Sequence, residues 1–268
     1  MNSLDADAIR RFAGGSVRKR LARLDVFAEI DSTNSYLMQT VGPEPGKISI
    51  AATSNQTAGR GRHGKIWESP PGSGLCLSVA YTFAAQPDNL PALTLGLGLG
   101  AVDALEKLGA TGIEIKWPND LVARDAKLGG ILTEVQQNTA GAVTIVAGIG
   151  INVDLQNKLD LARSVVDLKS VCDFLPGHEE IAGKIATHFL QAFVSFEEQG
   201  FAAVADRWSR YDWLLGREIT IDMADQQFAG VGAGVADDGA LLVDTAGSGT
   251  RRVSSGTVTI GGLRGNSS

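Results

Sequence analysis

Thr57-Ala-Gly-Arg-Gly-Arg-His-Gly-Lys-Ile-Trp67 sets three glycines among three cationic side chains, Arg60, Arg62 and Lys65. Glycine lets the backbone take positive φ and come close to a ligand. Arginine and lysine meet phosphate or carboxylate oxygens with charge-assisted hydrogen bonds. The segment therefore reads as a loop that holds an anion. It nearly spells a P-loop, with Gly59, Gly64 and Lys65 at the required spacing. Ile66 then stands where a serine or threonine hydroxyl would bind magnesium, so a P-loop fold is set aside. An ordinary glycine-rich loop would carry solvated charges and nothing more. Trp67 argues against that, because an indole is costly to leave in water and can close over a ligand.

The rest of the composition narrows the class. The chain has 268 residues, enough for one large domain or two unequal ones, and 44% of them are hydrophobic. Mean hydropathy is +0.04. No apolar run reaches the roughly 18 residues of a membrane-spanning helix, and the N-terminus has no apolar core of a secretory signal. Cys76 and Cys172 stand far apart in no metal-ligand spacing, which reads as two reduced thiols in a cytoplasmic protein. A net charge of -6 disfavours a general polyanion binder. It leaves room for a local positive pocket built by Arg60, Arg62 and Lys65. The basic residues among positions 1–24 are expected to form a solvated face on one or two short surface helices, not a DNA reader.

Hydrophobic periodicity divides the chain. Strands are expected at Asp25–Ile30, Lys47–Thr53 and Gly74–Thr82, the last alternating Leu75, Leu77, Val79 and Tyr81. Asp31-Ser-Thr-Asn34 between the first two reads as a helix N-cap. A helix follows from Asn89 to Leu108, with Pro91 near its start and Gly109 past its end. Then come strands at Ile113–Trp117, Leu121–Arg124, Leu128–Gln136 and Ala142–Ile149, with turns at Asp125-Ala126 and Asn138–Gly141. Asp154–Val171 is polar and irregular, a candidate mobile loop. Glu179–Gln199 is the clearest helix, repeating Ile181, Ile185, Phe189, Phe193 and Phe196, and Phe201–Tyr211 adds another. From Arg217 to Ile260 only short alternating runs remain, split at Ala224-Asp225, Asp237-Asp-Gly239 and Gly247-Ser-Gly249, the pattern of a small antiparallel barrel. The expected fold class is α+β: a domain of strands and helices over residues 1–215 and an all-β domain over 216–264.

Four further blocks carry chemistry. Ser32, Thr33 and Asn34 would leave free backbone N–H groups at a helix start, with hydroxyls and an amide beside them. Gln56 adds a polar finger. Lys116-Trp-Pro-Asn-Asp120 interrupts a buried-strand pattern with a proline and two polar residues, a strand end and turn on the plain reading. Lys127 opens an apolar strand ahead of Leu128-Gly-Gly130, where two glycines admit a ligand. Gly148-Ile-Gly-Ile-Asn152 ends a strand, and Gly148 and Gly150 are expected to let an adenine ring approach the sheet, with Asn152 hydrogen-bonding the nucleotide. Gly96, Gly98 and Gly100 lack the spacing of a dinucleotide fingerprint and read as close helix packing. His63, His178 and His188 show no ligand spacing, and no hydrolytic triad is suggested.

Taken in order, the five blocks resemble the catalytic region of biotin protein ligases, from about Val26 to Val153 and more loosely beyond. The short N-terminal segment resembles the monofunctional type without the N-terminal DNA-binding domain. The resemblance implies a mixed-sheet catalytic domain of the biotin/lipoate ligase (class II synthetase-like) type, followed by a small SH3-like β-barrel. It implies ATP and biotin as substrates, Mg2+ arriving with ATP, no protein-held metal, and a biotin carboxyl carrier protein domain as acceptor. It implies neither DNA nor membrane as a partner and leaves room for a homodimer. By the same resemblance Lys127, Arg60 and Arg62 are the catalytic cations. Biotin contacts fall on Ser32, Thr33, Asn34, Gln56, Gly59, Arg60, Gly61, Arg62, Lys127 and Gly130. ATP contacts fall on Arg62, Lys65, Trp67, Lys116, Asn119, Asp120 and Asn152. Lys65 stands where the family often has arginine, which removes a bidentate fork and keeps a charge. The neighbouring alternatives are a lipoate or octanoate protein ligase, which shares the fold, and a biotin-responsive regulator.

Overall fold

The structure is a computed structural model. It describes residues 4–261 except 69, 138–140, 157–163, 224–225 and 248. Seven strands form one mixed sheet: β1 (Leu21–Phe27), β2 (Ile48–Thr53), β3 (Gly74–Phe83), β4 (Ile113–Lys116), β5 (Asp120–Ala123), β6 (Ala126–Gln137) and β7 (Val143–Asn152). Their spatial order is β1-β2-β3-β7-β6-β5-β4. Only the β1–β2 pair is parallel.

Alternation along the central strands assigns the two faces. On β3, Leu75, Leu77, Val79, Tyr81 and Phe83 enter the main core, as do Ile145, Ala147, Ile149 and Ile151 of β7. Two long helices cover that face, α4 (Leu90–Glu106) and α6 (His178–Gln199). The two helices lie close because Gly100 has no side chain; a Cβ there would stand 3.1 Å from the His188 carbonyl oxygen. The opposite face carries the short helix α3 (Thr33–Gln39), whose Leu37 packs on Ala51, Ala80 and Val146. Cys76, Ser78, Gly148 and Gly150 fall on this second face by the same period of two.

β6 breaks its own alternation. Leu121 pairs with Gly129 and Val122 with Lys127, so Leu128 is an extra residue in the ladder. Such a bulge resets which face a strand's side chains take. Lys127 and Gly130, three residues apart, thereby share the α3 face while Leu128 is buried in the core.

Several expected boundaries move. β1 begins at Leu21 and ends at Phe27, instead of spanning 25–30, and Ile30 keeps only a single bridge to Gln56. The N-terminal helices α1 (Ala6–Phe12) and α2 (Gly15–Arg20) carry basic outer faces, yet they seat Ile9 and Val17 in the core. The β5–β6 turn is Arg124-Asp125, one residue earlier than expected, with φ of 50° and 56°. Left-handed backbone at both central residues matches the twist of a two-residue hairpin. Within the segment read as an irregular loop, a short helix α5 (Leu168–Val171) forms, capped by Asp167. The turns expected at 138–140 and 224–225, and positions 157–163, lie outside the described residues.

Helix α7 (Ala202–Tyr211) leads into a second sheet, β8 (Glu218–Met223), β9 (Gln226–Val235), β10 (Leu241–Thr245), β11 (Gly249–Val253) and β12 (Thr257–Ile260). Its order is β11-β10-β9-β8-β12, antiparallel throughout. Polar ties join it to the first sheet. Trp117 Nε1 donates to Gly239 O at 2.9 Å. Trp213 Nε1 and Arg217 Nη1 each lie 3.0 Å from Asp125 Oδ1.

Burial leaves a pH signature. His188 on α6 is buried, its Nε2 3.2 Å from Lys107 Nζ. Burial first, and then the Lys107 ammonium, lower its pKa; Lys184 and Arg207 act the same way and Asp103 opposes them. Burial likewise lowers that of His178. The unfolded chain then binds more protons than the folded one below about pH 6.5. Stability is therefore full above that pH and declines as pH falls through it. Urea denaturation at pH 7.5 and 5.5 is expected to show a lower midpoint at the acid value, and a smaller difference in His188→Gln. Equal differences in the two proteins would remove His188 from the account.

Candidate active site

A cleft of about 530 Å3 opens on the α3 face of the large sheet and runs to β12 of the small one. Its walls gather most of the residues that the sequence singles out. Ser32, Thr33, Asn34, Gln56, Arg60, Gly61, Arg62, Lys65, Trp67, Lys116, Asn119, Asp120, Lys127 and Gly130 all line it. Gly59 and Asn152 do not. Gly59 is the base of the loop: a Cβ there would collide with Trp67 O. Asn152 is buried, and its Nδ2 lies 3.2 Å from Lys127 O and 3.0 Å from Val166 O. It ties the 164–166 segment to the backbone of Lys127, which also exchanges Lys127 N–Ser164 O (3.1 Å) and Val166 N–Lys127 O (3.0 Å).

The glycine-rich stretch is a small hairpin folded over the cleft. Trp67 N donates to Gly59 O at 3.0 Å and Gly61 N to Lys65 O at 2.7 Å, around a single 3-10 turn at Arg62–Gly64. His63 and Gly64 at its tip have φ of 54° and 72°. The hairpin lays the Trp67 indole against Gly150, where a Cβ would overlap the ring. Asn34 occupies the corresponding space over Gly148. The two glycines expected to admit a flat ring thus admit these two side chains.

Two ion pairs mark the cationic centre. Lys127 Nζ lies 2.5 Å from Asp120 Oδ1, and Arg60 Nη2 lies 2.5 Å from Glu134 Oε2. Lys127 Nζ also stands 5.8 Å from the centre of the Trp67 ring, a cation–π contact. Burial lowers the pKa of Arg62 and of Lys116, and in both cases the Asp120 carboxylate works against that shift. Asp120 is thus the shared counter-charge of the group. An arriving pair of anions would compete with it for the same cations.

The far end is a polar floor. Thr33 N and Oγ1 donate to Gln56 Oε1 at 2.8 and 3.0 Å. Ser78 Oγ lies 2.7 Å from Thr33 Oγ1 and 2.6 Å from Asn34 Oδ1. Ser32 caps α3 by accepting from Ser35 N at 3.3 Å. Beneath the loop lies Cys76, whose thiol burial pushes up to about 12, with the Trp67 indole as a smaller opposing influence. It remains a thiol at neutral pH and supplies no nucleophile.

Sequence reasoning gave no site role to Asp125, Trp213 or the Gly256–Ile260 wall from the small sheet, nor to Ser78 and Glu134, which lie behind the lining and bond to Thr33, Asn34 and Arg60. Ser78 and Glu134 carried a usable signal. Each sits at even spacing from a cleft residue, Ser78 from Cys76 and Glu134 from Gly130, and so shares its face. The small-sheet wall had none.

Comparison with known proteins bears on the family and the fold. Residues 26–152 match the model of the Biotin/lipoate A/B protein ligase family, and residues 214–261 match the Biotin protein ligase C terminal domain. The Bifunctional ligase/repressor BirA of Escherichia coli (strain K12) is 34% identical over 86% of this chain and 70% of its own. The Biotin–[acetyl-CoA-carboxylase] ligase of Mycobacterium tuberculosis is 31% identical over 84% of each. Among solved structures, the biotin protein ligase from Aquifex aeolicus in complex with biotin and ATP superposes with a TM-score of 0.75 at 25% identity, covering 91% of this chain and 99% of that one. Likeness in sequence across both sheets, and in fold to an enzyme solved with its two substrates, makes this chain a member of the biotin protein ligase family.

Proposed function

We propose that the protein is an ATP-dependent biotin–protein ligase that makes biotinyl-5'-AMP and passes the biotinyl group to a lysine of a biotin carboxyl carrier protein domain. The observation that carries this reading is the convergence of Lys127, Arg60, Arg62 and Lys116 on one cleft whose other end is a buried polar floor. Joining a carboxylate to an α-phosphate brings two anions together, and a fixed cation there stabilises the transition state more than the separated reactants.

In this reading the biotin carboxylate oxygen attacks the α-phosphorus, the bond to the β-phosphate oxygen breaks, and pyrophosphate leaves. Lys127 lies between the two anions. Arg60 takes the biotin carboxylate, Arg62 the α-phosphate, and Lys116 and Lys65 the departing phosphates. Ser32, Thr33, Asn34 and Gln56 hold the ureido head, with Gly61 and Gly130 allowing close approach and Gly59 closing the loop's base. Trp67, Asn119 and Asp120 border the nucleotide, and Asn152 acts from behind the cleft by holding the Lys127 carbonyl. The hairpin excludes water from the mixed anhydride. The neutral ε-amine of the acceptor lysine then attacks the carbonyl, an amide forms, and AMP leaves. Magnesium arrives with the ATP substrate, held mainly by its phosphate oxygens.

The polar floor favours biotin over lipoate, since a dithiolane brings no N–H group for its acceptor oxygens. The reading also places the domain division at 215/216, takes the second sheet as an SH3-like barrel, and assigns a cytoplasmic protein without a DNA partner, able to form a homodimer. The division is supported by the change from helices to short antiparallel strands at β8; residues 262–264 lie outside the described residues. Among the described residues no helix is long and apolar enough to cross a membrane.

The test is transfer of radiolabelled biotin to a purified carrier domain, with and without ATP and with lipoate in parallel. Label on the carrier only with ATP is expected, and none from lipoate. Transfer of lipoate in preference to biotin would overturn the substrate assignment.

A further inference from the structure

We infer that Glu134 is a positioning residue for the ureido head of biotin, acting through Asn34. The inference rests on the function proposed above. Asn34 Nδ2 lies 3.1 Å from Leu132 O and 2.9 Å from Glu134 Oε2. A carbonyl and a carboxylate only accept hydrogen bonds, so both contacts need the amide NH2 and together they fix its rotation. Asn34 Oδ1 is thereby turned to the Ser78 hydroxyl, 2.6 Å away.

That orientation leaves the floor of the cleft short of a donor. Ser78 Oγ stands within hydrogen-bond distance of both Asn34 Oδ1 and Thr33 Oγ1. Thr33 Oγ1 gives its own proton to Gln56 Oε1. Ser78 therefore has one proton for two acceptors. A small polar ring bringing N–H groups supplies what is missing, and an unpaired acceptor in a closed site costs binding. Were the Asn34 amide to rotate by half a turn, its NH2 would face Ser78 and the preference for a donor would vanish. Glu134 is the side chain that prevents this. The same Oε2 also takes the Arg60 guanidinium, so the carboxylate touches both the head-group floor and the loop above it.

Two substitutions separate these contacts. Glu134→Met removes the carboxylate acceptor and leaves only the Leu132 carbonyl to oppose rotation of the amide. Glu134→Gln keeps an acceptor oxygen for Asn34 and removes the ion pair with Arg60. Biotin dissociation constants by calorimetry are expected to rise about 10- to 100-fold in Glu134→Met and to stay within about threefold of the parent in Glu134→Gln. Biotin methylated on both ureido nitrogens serves as the second probe. The parent should reject it strongly, and Glu134→Met should lose most of that discrimination, which a general loosening of the fold would not produce. Glu134 is half-buried at 23% side-chain exposure, and Glu134→Ala replaces Glu134→Met with the same expectation if the latter does not fold. Equal biotin affinity in the parent and Glu134→Met overturns the inference. So does a Glu134→Gln protein as weak as Glu134→Met, because the ion pair would then be the operative contact. A parent that binds no biotin overturns the proposed function instead.

Discussion

Lys127→Ala is expected to slow formation of biotinyl-5'-AMP by about 10³-fold or more in single turnover, with the fold retained. The effect should be large because the site asks one ammonium to serve two anions. Its backbone is held by Ser164, Val166 and Asn152, and the β6 bulge turns its side chain onto the Gly130 face. The ammonium is already opposite a carboxylate, Asp120. Exchanging that partner for substrate oxygens costs less than ordering a free lysine would. Removing the ammonium leaves Asp120 facing Arg62 and Lys116, so no uncompensated charge is stranded and the melting temperature should move little. Lys127→Arg is expected to recover only part of the rate, since a planar fork does not reproduce a compact charge. Adenylation by Lys127→Ala within tenfold of the parent would remove Lys127 from its assigned role.

Trp208→Ala should cause the largest loss of stability among single side-chain truncations, roughly 3–5 kcal/mol for the packing alone. Trp208 is only 2% exposed, and its Nε1 donates to Asp212 Oδ2 at 3.0 Å. Asp212 is itself buried, and burial raises its pKa. Its other oxygen accepts from Leu214 N at 3.0 Å. Losing the indole therefore opens a cavity and removes a donor from a buried carboxylate, which adds about 1–3 kcal/mol. Trp208→Phe keeps most of the volume and should show mainly the second cost. The consequence reaches the cleft, because Trp213 follows directly and its Nε1 meets Asp125 at the cleft wall. A denaturation midpoint for Trp208→Ala close to that of the parent would contradict this packing account.

How much of this could be read from the chain depended on whether local sequence carries the information. The Leu75–Tyr81 alternation and the aromatic repeat of Glu179–Gln199 name their own buried faces, and both elements stand near the expected limits. The glycine-rich stretch announced an anion loop, and its cations do share one cleft with Lys127. What escaped depends on register. Nothing in Lys127-Leu-Gly-Gly130 states that Leu128 is an extra residue, because a bulge is defined by the partner strand. Glu134 shares the face of Gly130 by even spacing, but only the packing of α3 across the sheet brings Asn34 to it. Gly148 and Gly150 signalled a close approach to the sheet, and the side chains that lie over them are Asn34 and Trp67. Asn152 belonged to a ligand-like motif, yet its Nδ2 serves the chain's own backbone. The contribution of β12 to the cleft wall arises from how the two sheets meet, which no local pattern encodes.

The account stands on one claim, that this cleft joins biotin and ATP into a retained mixed anhydride. Incubating the protein with biotin and ATP labelled at the α-phosphate, with no acceptor present, tests it most directly. The account predicts labelled biotinyl-5'-AMP approaching one equivalent per chain, held on the protein, with an equal yield of pyrophosphate and none of either without biotin. Transfer of biotin to a carrier domain under conditions where no labelled adenylate forms, or pyrophosphate release that is indifferent to biotin, would contradict it.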